Sequence, residues 1–133
     1  MYAPRFCLRS FGALDPAARE AVLFLLFEAL IGANCAHLAR NPATPSLYES
    51  GIRYEEEPLG REDWQDIPDT IARGVGDCED LACWRIAELR VRHAEHATPY
   101  LKRDQRESHV LYHVAVRRLD GSLEDPSRVL GMR

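Results

Sequence analysis

The apolar positions of this chain change their period part-way along it. From Pro16 to about Arg40 they recur at helical spacing: Val22, Leu25, Leu26, Ala29 and Ala33 form one stripe, which Leu23, Phe24 and Phe27 widen. The pattern predicts a long helix buried on most sides. Asp15-Pro16 supplies its start, a capping carboxylate followed by proline at the first helical position. Asn41-Pro42 supplies its end. Residues 42–60 read as a connection with turns, one short strand around Ile52 to Glu55, and a solvated Glu55-Glu56-Glu57 run. Pro68 opens a short helix through Arg73, which Gly74-Val75-Gly76 breaks. A second main helix takes Asp77 as its cap and continues to about His93; Leu81, Ile86 and Leu89, with Ala82 and Trp84 beside them, form its packing surface.

Beyond Pro99 the pattern changes to strands. Val110, Tyr112, Val114 and Val116 alternate with His109, Leu111, His113 and Ala115. Asp120-Gly121 is a hairpin turn signal, and a return strand covers about Ser122 to Asp125, before Pro126. Helices followed by an antiparallel hairpin predict an α+β fold, with the second helix packed on a small antiparallel sheet.

Composition narrows this picture. A chain of 133 residues is expected to form one domain, its helix and connection in 1–60 and its core in 61–133. A net charge of −4, with basic residues scattered among acidic ones, argues against a nucleic-acid partner. The apolar run Ala21 to Ile31 is too short to span a bilayer and contains Glu28, so no membrane partner is expected. Met1 to Cys7 lacks the apolar segment of a signal peptide, which predicts a cytoplasmic protein with Cys7, Cys35, Cys78 and Cys83 reduced.

The candidate chemistry centres on Gly74-Val75-Gly76-Asp77-Cys78-Glu79-Asp80. A glycine-flanked turn delivers Cys78 to the first turn of a helix. Unpaired N–H groups and the helix dipole favour an anion there, which predicts a thiolate of lowered pKa. Gly74 and Gly76 permit a sharp approach and leave room for a substrate backbone. Acyl transfer also needs a base. His37 lies on the first helix, and His93 and His96 lie near the far end of a helix about 22 Å long. His109 and His113 remain, on one strand face and about 13 Å apart, so only one of them fits against Cys78. Asp125 is the candidate to orient the base, and the turn decides whether it reaches. A two-residue Asp120-Gly121 loop sets Val116 opposite Asp125 and puts His113 on the other face. A Leu119-Asp120-Gly121 loop with a left-handed Gly121 sets Ala115 opposite Asp125, making His113 its diagonal neighbour on one face.

These parts together resemble the transglutaminase-like branch of the papain-like fold. The resemblance rests on Gly76-Asp77-Cys78 opening a helix, Tyr112-His113-Val114-Ala115-Val116 on a strand, and Glu124-Asp125-Pro126-Ser127 on the next. With Trp64, Pro68 and Gly74 added, the chain is similar to bacterial transglutaminase-like cysteine proteinases over about Trp64 to Ser127. The resemblance implies Cys78 as nucleophile, His113 as general base and acid, and Asp125 as orienting carboxylate. It also implies calcium for some members, through acids matching Asp77 and Glu79. No cofactor is otherwise expected, and capping and dipole roles serve those two acids as well. The Cys78 N–H is one oxyanion donor; Trp64 or Gln65 is the candidate for the second, and Trp64 also suits a pocket wall. A zinc site from Cys78, Cys83, His93 and His96 matches no usual spacing. The expected activity is cysteine-dependent hydrolysis or acyl transfer on peptide or side-chain amides, foremost as a peptidase with a protein or peptide substrate. Transamidation, deamidation, or a non-catalytic assembly protein of phage or prophage type are the alternatives.

Overall fold

Asp15 caps the first helix, α1 (Pro16–Arg40), by accepting the Ala18 N–H at 2.8 Å, with Pro16 beginning the first turn. The protein is described by a computed structural model that covers residues 13–57, 63–105, 107 and 110–133; Cys7 and His109 lie outside the described residues. Leu23, Phe27, Ile31, Asn34 and Leu38 form one buried line along α1. The opposite side is open: Leu25 is 72% exposed. The helix is therefore buried along one stripe, not on most sides as its composition suggested. By length and composition α1 is long and apolar enough to cross a membrane. In this fold it packs on another helix, and its polar groups are used there. Glu28 pairs with Arg90 at 3.0 Å, and the buried Asn34 accepts the Ile67 N–H at 2.9 Å.

The next segment makes a short parallel pair, β1 (Arg53–Tyr54) with β2 (Val75–Gly76). Between them lies α2 (Ile67–Arg73), capped by Asp66 and ended by Gly74 in the left-handed conformation, φ +78°. The glycine turn is thus half strand, which the breaker reading missed. From it springs α3 (Cys78–Arg92), the centre of the molecule. Leu81, Ala82, Cys83, Trp84, Ile86, Ala87 and Leu89 are all buried, because α1 covers one side of α3 and a sheet covers another.

That sheet has three antiparallel strands in the order β3 (Thr98–Gln105), β4 (Val110–Arg117), β5 (Leu123–Glu124). A short helix, α4 (Pro126–Val129), follows at once, capped by Asp125. The architecture is α+β, as expected. The strand β3 adds a partner to the predicted hairpin.

Candidate active site

The hairpin turn is the three-residue form. Arg118 N–H donates to the Ser122 carbonyl at 2.8 Å, and Gly121 N–H donates to the Arg118 carbonyl at 2.9 Å. Gly121 sits at φ +88°, the left-handed residue that completes such a bulge. The register pairs Val116 with Glu124 and Arg117 with Leu123, so one step further Asp125 faces Ala115. Strand neighbours alternate faces, which puts His113 and Asp125 on the same side. His113 Nε2 and Asp125 Oδ2 are 2.8 Å apart, both side chains half-buried. Arg128 stands 3.5 Å from the same oxygen, and Asp125 Oδ1 also accepts the Ser127 N–H at 3.2 Å, capping α4.

The same turn dictates what borders β4. Arg118 directs its backbone N–H and C=O toward β5, so by alternation Val116, Val114, Tyr112 and Val110 do too. The rung after Val116–Glu124 would join Val114 to residue 126. That residue is proline, which has no N–H to give. The ladder ends there, and the Val114 N–H is left close enough to the Cys78 thiol to favour its ionised form. Asp-Pro thus supplies the carboxylate beside His113, stops the strand and leaves a place for Cys78.

Cys78 reaches that place because Asp77 caps α3. The Asp77 side chain accepts the Asp80 N–H, and Asp80 accepts the Asp77 N–H at 3.2 Å, a reciprocal box that fixes the first turn. The thiol donates to Glu79 Oε2 at 3.2 Å, not to His113. Its acidity runs against the expectation of a lowered pKa. Burial, then the charge of Glu79, push the Cys78 thiol far above the ordinary cysteine range; the Val114 N–H opposes them, and Asp77 adds to the rise. Burial and the Glu79 charge both favour the neutral thiol over the thiolate at Cys78.

Acids crowd this first turn. One oxygen each from Glu57, Asp77 and Asp80 lie within 4.8 Å of one another. Glu57 is turned inward, so the 55–57 run is not wholly solvated as expected; burial pushes its carboxyl upward. Burial, then the neighbouring acids, push Asp77 strongly upward; burial also raises Asp80 against its hydrogen bonds, and raises Glu79 to about 7.

The expected calcium pair fits this arrangement poorly. Glu79 is engaged by the Cys78 thiol, and Asp77 groups with Glu57 and Asp80. Asp80 already accepts the Gln65 N–H at 2.7 Å, the Gln65 side-chain amide at 2.9 Å and the Asp77 N–H. A shared proton suits these oxygens better than a hard cation needing six or more of them.

The remaining candidates fall elsewhere. Gln65, proposed for the oxyanion, gives its side-chain N–H groups to Asp80 and to the Val75 carbonyl at 3.2 Å, so it holds the turn together. Trp64 stacks on Phe27 with centroids 5.2 Å apart, a wall of the core. Gly76 is needed for packing more than for substrate room. An added Cβ would sit 3.2 Å from Asp80 Cβ and from Leu81 Cδ2, and 3.3 Å from Thr70 Cγ2. Among the described residues the Cys78 N–H has no acceptor. Cys83 is buried against the Phe27 carbonyl, while His93 and His96 are exposed past the far end of α3, so the zinc set does not assemble. His37 bonds Thr44 at 3.1 Å, away from this turn. Comparison with protein-family models, with curated proteins and with solved structures gives no match to this chain.

Proposed function

We propose that this chain is a cysteine-dependent acyl-transfer enzyme, foremost a peptidase, with the transglutaminase-like form of the papain-like architecture that its motifs resemble. One observation carries the reading: His113, 2.8 Å from Asp125, sits on the strand whose next residue, Val114, lowers the Cys78 thiol pKa through its N–H. The free thiols Cys35, Cys78 and Cys83 suit a reducing, cytoplasmic setting.

The chemistry follows from which atoms are committed. His113 gives its Nε2 proton to Asp125, leaving Nδ1 as the base. Because the thiol is neutral at rest, activation occurs during attack. The thiol turns from Glu79 to His113, sulfur bonds to the amide carbon, and the proton passes to Nδ1. The carbonyl electron pair moves to oxygen, where the Cys78 N–H meets it. Asp125 stabilises the imidazolium. Collapse of the intermediate breaks the C–N bond, and His113 returns its proton to the leaving amine. Water then cleaves the thioester, with His113 again as base; an amine in place of water gives transamidation.

A short peptide p-nitrophenyl ester tests this by acylating the nucleophile directly. The expected result is a burst of nitrophenolate and one acyl group on Cys78 by mass spectrometry, slowed about a thousandfold by His113→Ala. Acylation that spares Cys78, or that is indifferent to His113, would sink the reading. It would favour the second one, a non-catalytic binding or assembly protein, to which the thiol resting on Glu79 and its raised pKa lend support.

A further inference from the structure

Resting on Cys78 as nucleophile, we infer that the substrate is an extended polypeptide whose main chain joins the open edge of β4 as an added strand, with basic side chains near the acyl bond. The edge is a product of the turn and of Pro126. Val110 and Tyr112 direct N–H and C=O toward the β5 side, and among the described residues neither has a backbone partner there. The Val114 carbonyl faces the same way, since proline blocks its rung. A strand laid along these groups continues the line of β5, and one of its ends comes to Val114, whose N–H acts on the Cys78 thiol. Successive rungs are two residues apart, about 7 Å, so Tyr112 and Val110 lie one and two rungs out from the nucleophile.

This placement favours a main-chain amide. A glutamine side chain brings its amide on a flexible stem and needs none of these rungs, whereas a peptide strand uses them all. Charge selects among peptides. The exposed Glu55 and Glu56 leave β1 beside Gly76, whose carbonyl accepts the Glu55 N–H at 2.9 Å. Arg128 is held at Asp125, and on this side the two solvated carboxylates draw lysine or arginine and repel acidic sequences.

The test separates docking from chemistry. A labelled ten-residue alanine–valine peptide carrying two lysines is titrated against the Cys78→Ala protein by fluorescence anisotropy, then rescanned with single backbone N-methyl groups. Methylation at alternate positions is expected to weaken binding about tenfold and to be neutral between them. Glutamate in place of lysine is expected to weaken it about tenfold as well. Val110→Pro removes one outward N–H and no bond to β3, so it should lower affinity while leaving the melting temperature nearly unchanged.

A flat methyl scan, equal binding of the glutamate peptide, or no binding at about 1 mM overturns the inference. So does an edge-to-edge dimer of the protein that the peptide fails to displace. The ester acylation of the unmutated protein is measured alongside. Normal acylation with a flat scan removes this inference alone. Alternation without acylation removes the catalytic reading, and the edge is then no substrate site.

Discussion

Two groups of charged side chains meet α3, and they are built on opposite rules. Around Arg85, signs alternate. Arg85 Nε lies 2.6 Å from Glu124, and its Nη1 lies 2.7 Å from the buried Glu88. Arg118 bonds Glu124 at 2.8 Å and Glu95 at 2.6 Å, while Tyr48 donates to Glu124 and the Leu47 N–H to Glu88. Burial would raise Glu124, but Arg85, Tyr48 and Arg118 outweigh it and hold its carboxyl below the usual range. Around Cys78 the signs repeat. Asp77, Glu79 and Asp80 share the first turn and Glu57 lies against it; among the described residues the ion pair there is Arg73 to Glu57 at 3.9 Å, on a half-exposed side chain. One group is satisfied and fixes the fold. The other keeps like charges close, a cost that structures retain where the chemistry needs them.

The largest expected effect tests whether the paired group is structural. Arg85→Met leaves the buried Glu88 without its cation and Glu124 with Arg118 alone. Urea denaturation at pH 7 should show a loss of about 3 kcal/mol. Arg73→Met, at the exposed pair on the other group, should cost less than about 1 kcal/mol. Equal losses would erase the distinction between the two groups.

The repeated group should instead gain from losing a charge. An acid whose pKa is raised by folding stabilises the protein while protonated. That contribution is complete below the unfolded value near 4, and it is lost as pH rises through the folded value. For Glu79 the loss runs from about 4.5 to about 7, and for Asp77 it continues further upward. Asp77→Asn keeps a competent cap and removes the charge. It should raise stability at pH 8 by about 1 kcal/mol and flatten the fall in melting temperature between pH 5 and pH 8. A variant less stable at pH 8 would mean that the Asp77 charge is compensated in the fold after all.

Much of this site could be read along the chain because its decisive features are local. Asp77 follows a glycine turn and precedes an apolar helix, so the cap and the candidate nucleophile Cys78 lie in one stretch. Strand alternation and Gly121 are local too, and they sufficed to set the condition under which His113 and Asp125 share a face. What sequence missed depends on distant partners. The helix dipole, worth about 0.3–1 kcal/mol, was expected to lower Cys78. Desolvating a buried charge costs several kcal/mol, and that burial is supplied by elements far along the chain. Gln65 is claimed by Asp80 for the same reason, across 15 positions. The strand β3 hid behind Pro99 and the charged Lys102-Arg103-Asp104, which suit an edge but break the apolar alternation. The pair β1–β2 is too short to leave a period at all.

The smallest expected effect concerns the residue that sends one acid to the paired group and its neighbour to His113. Glu124 and Asp125 are neighbours, so a single strand register sends Glu124 to Arg85 and Asp125 to His113. A slip of one residue would exchange them and empty both partnerships together. Gly121 holds that register at φ +88°, and an added Cβ there meets nothing within 4 Å. Gly121→Ala therefore costs conformational strain and no collision, about 1 kcal/mol by thermal melting. If the rest of the pairing holds the register, ester acylation of Cys78 should stay within about twofold of the unmutated protein, a change below about 0.5 kcal/mol in the barrier. Acylation that collapses while stability falls by only that amount would mean that the turn alone holds the register. The paired group and the His113–Asp125 pair beside Cys78 would then be coupled through one glycine, and the contrast between a structural region and a chemical one would have to be redrawn as two outputs of the same turn.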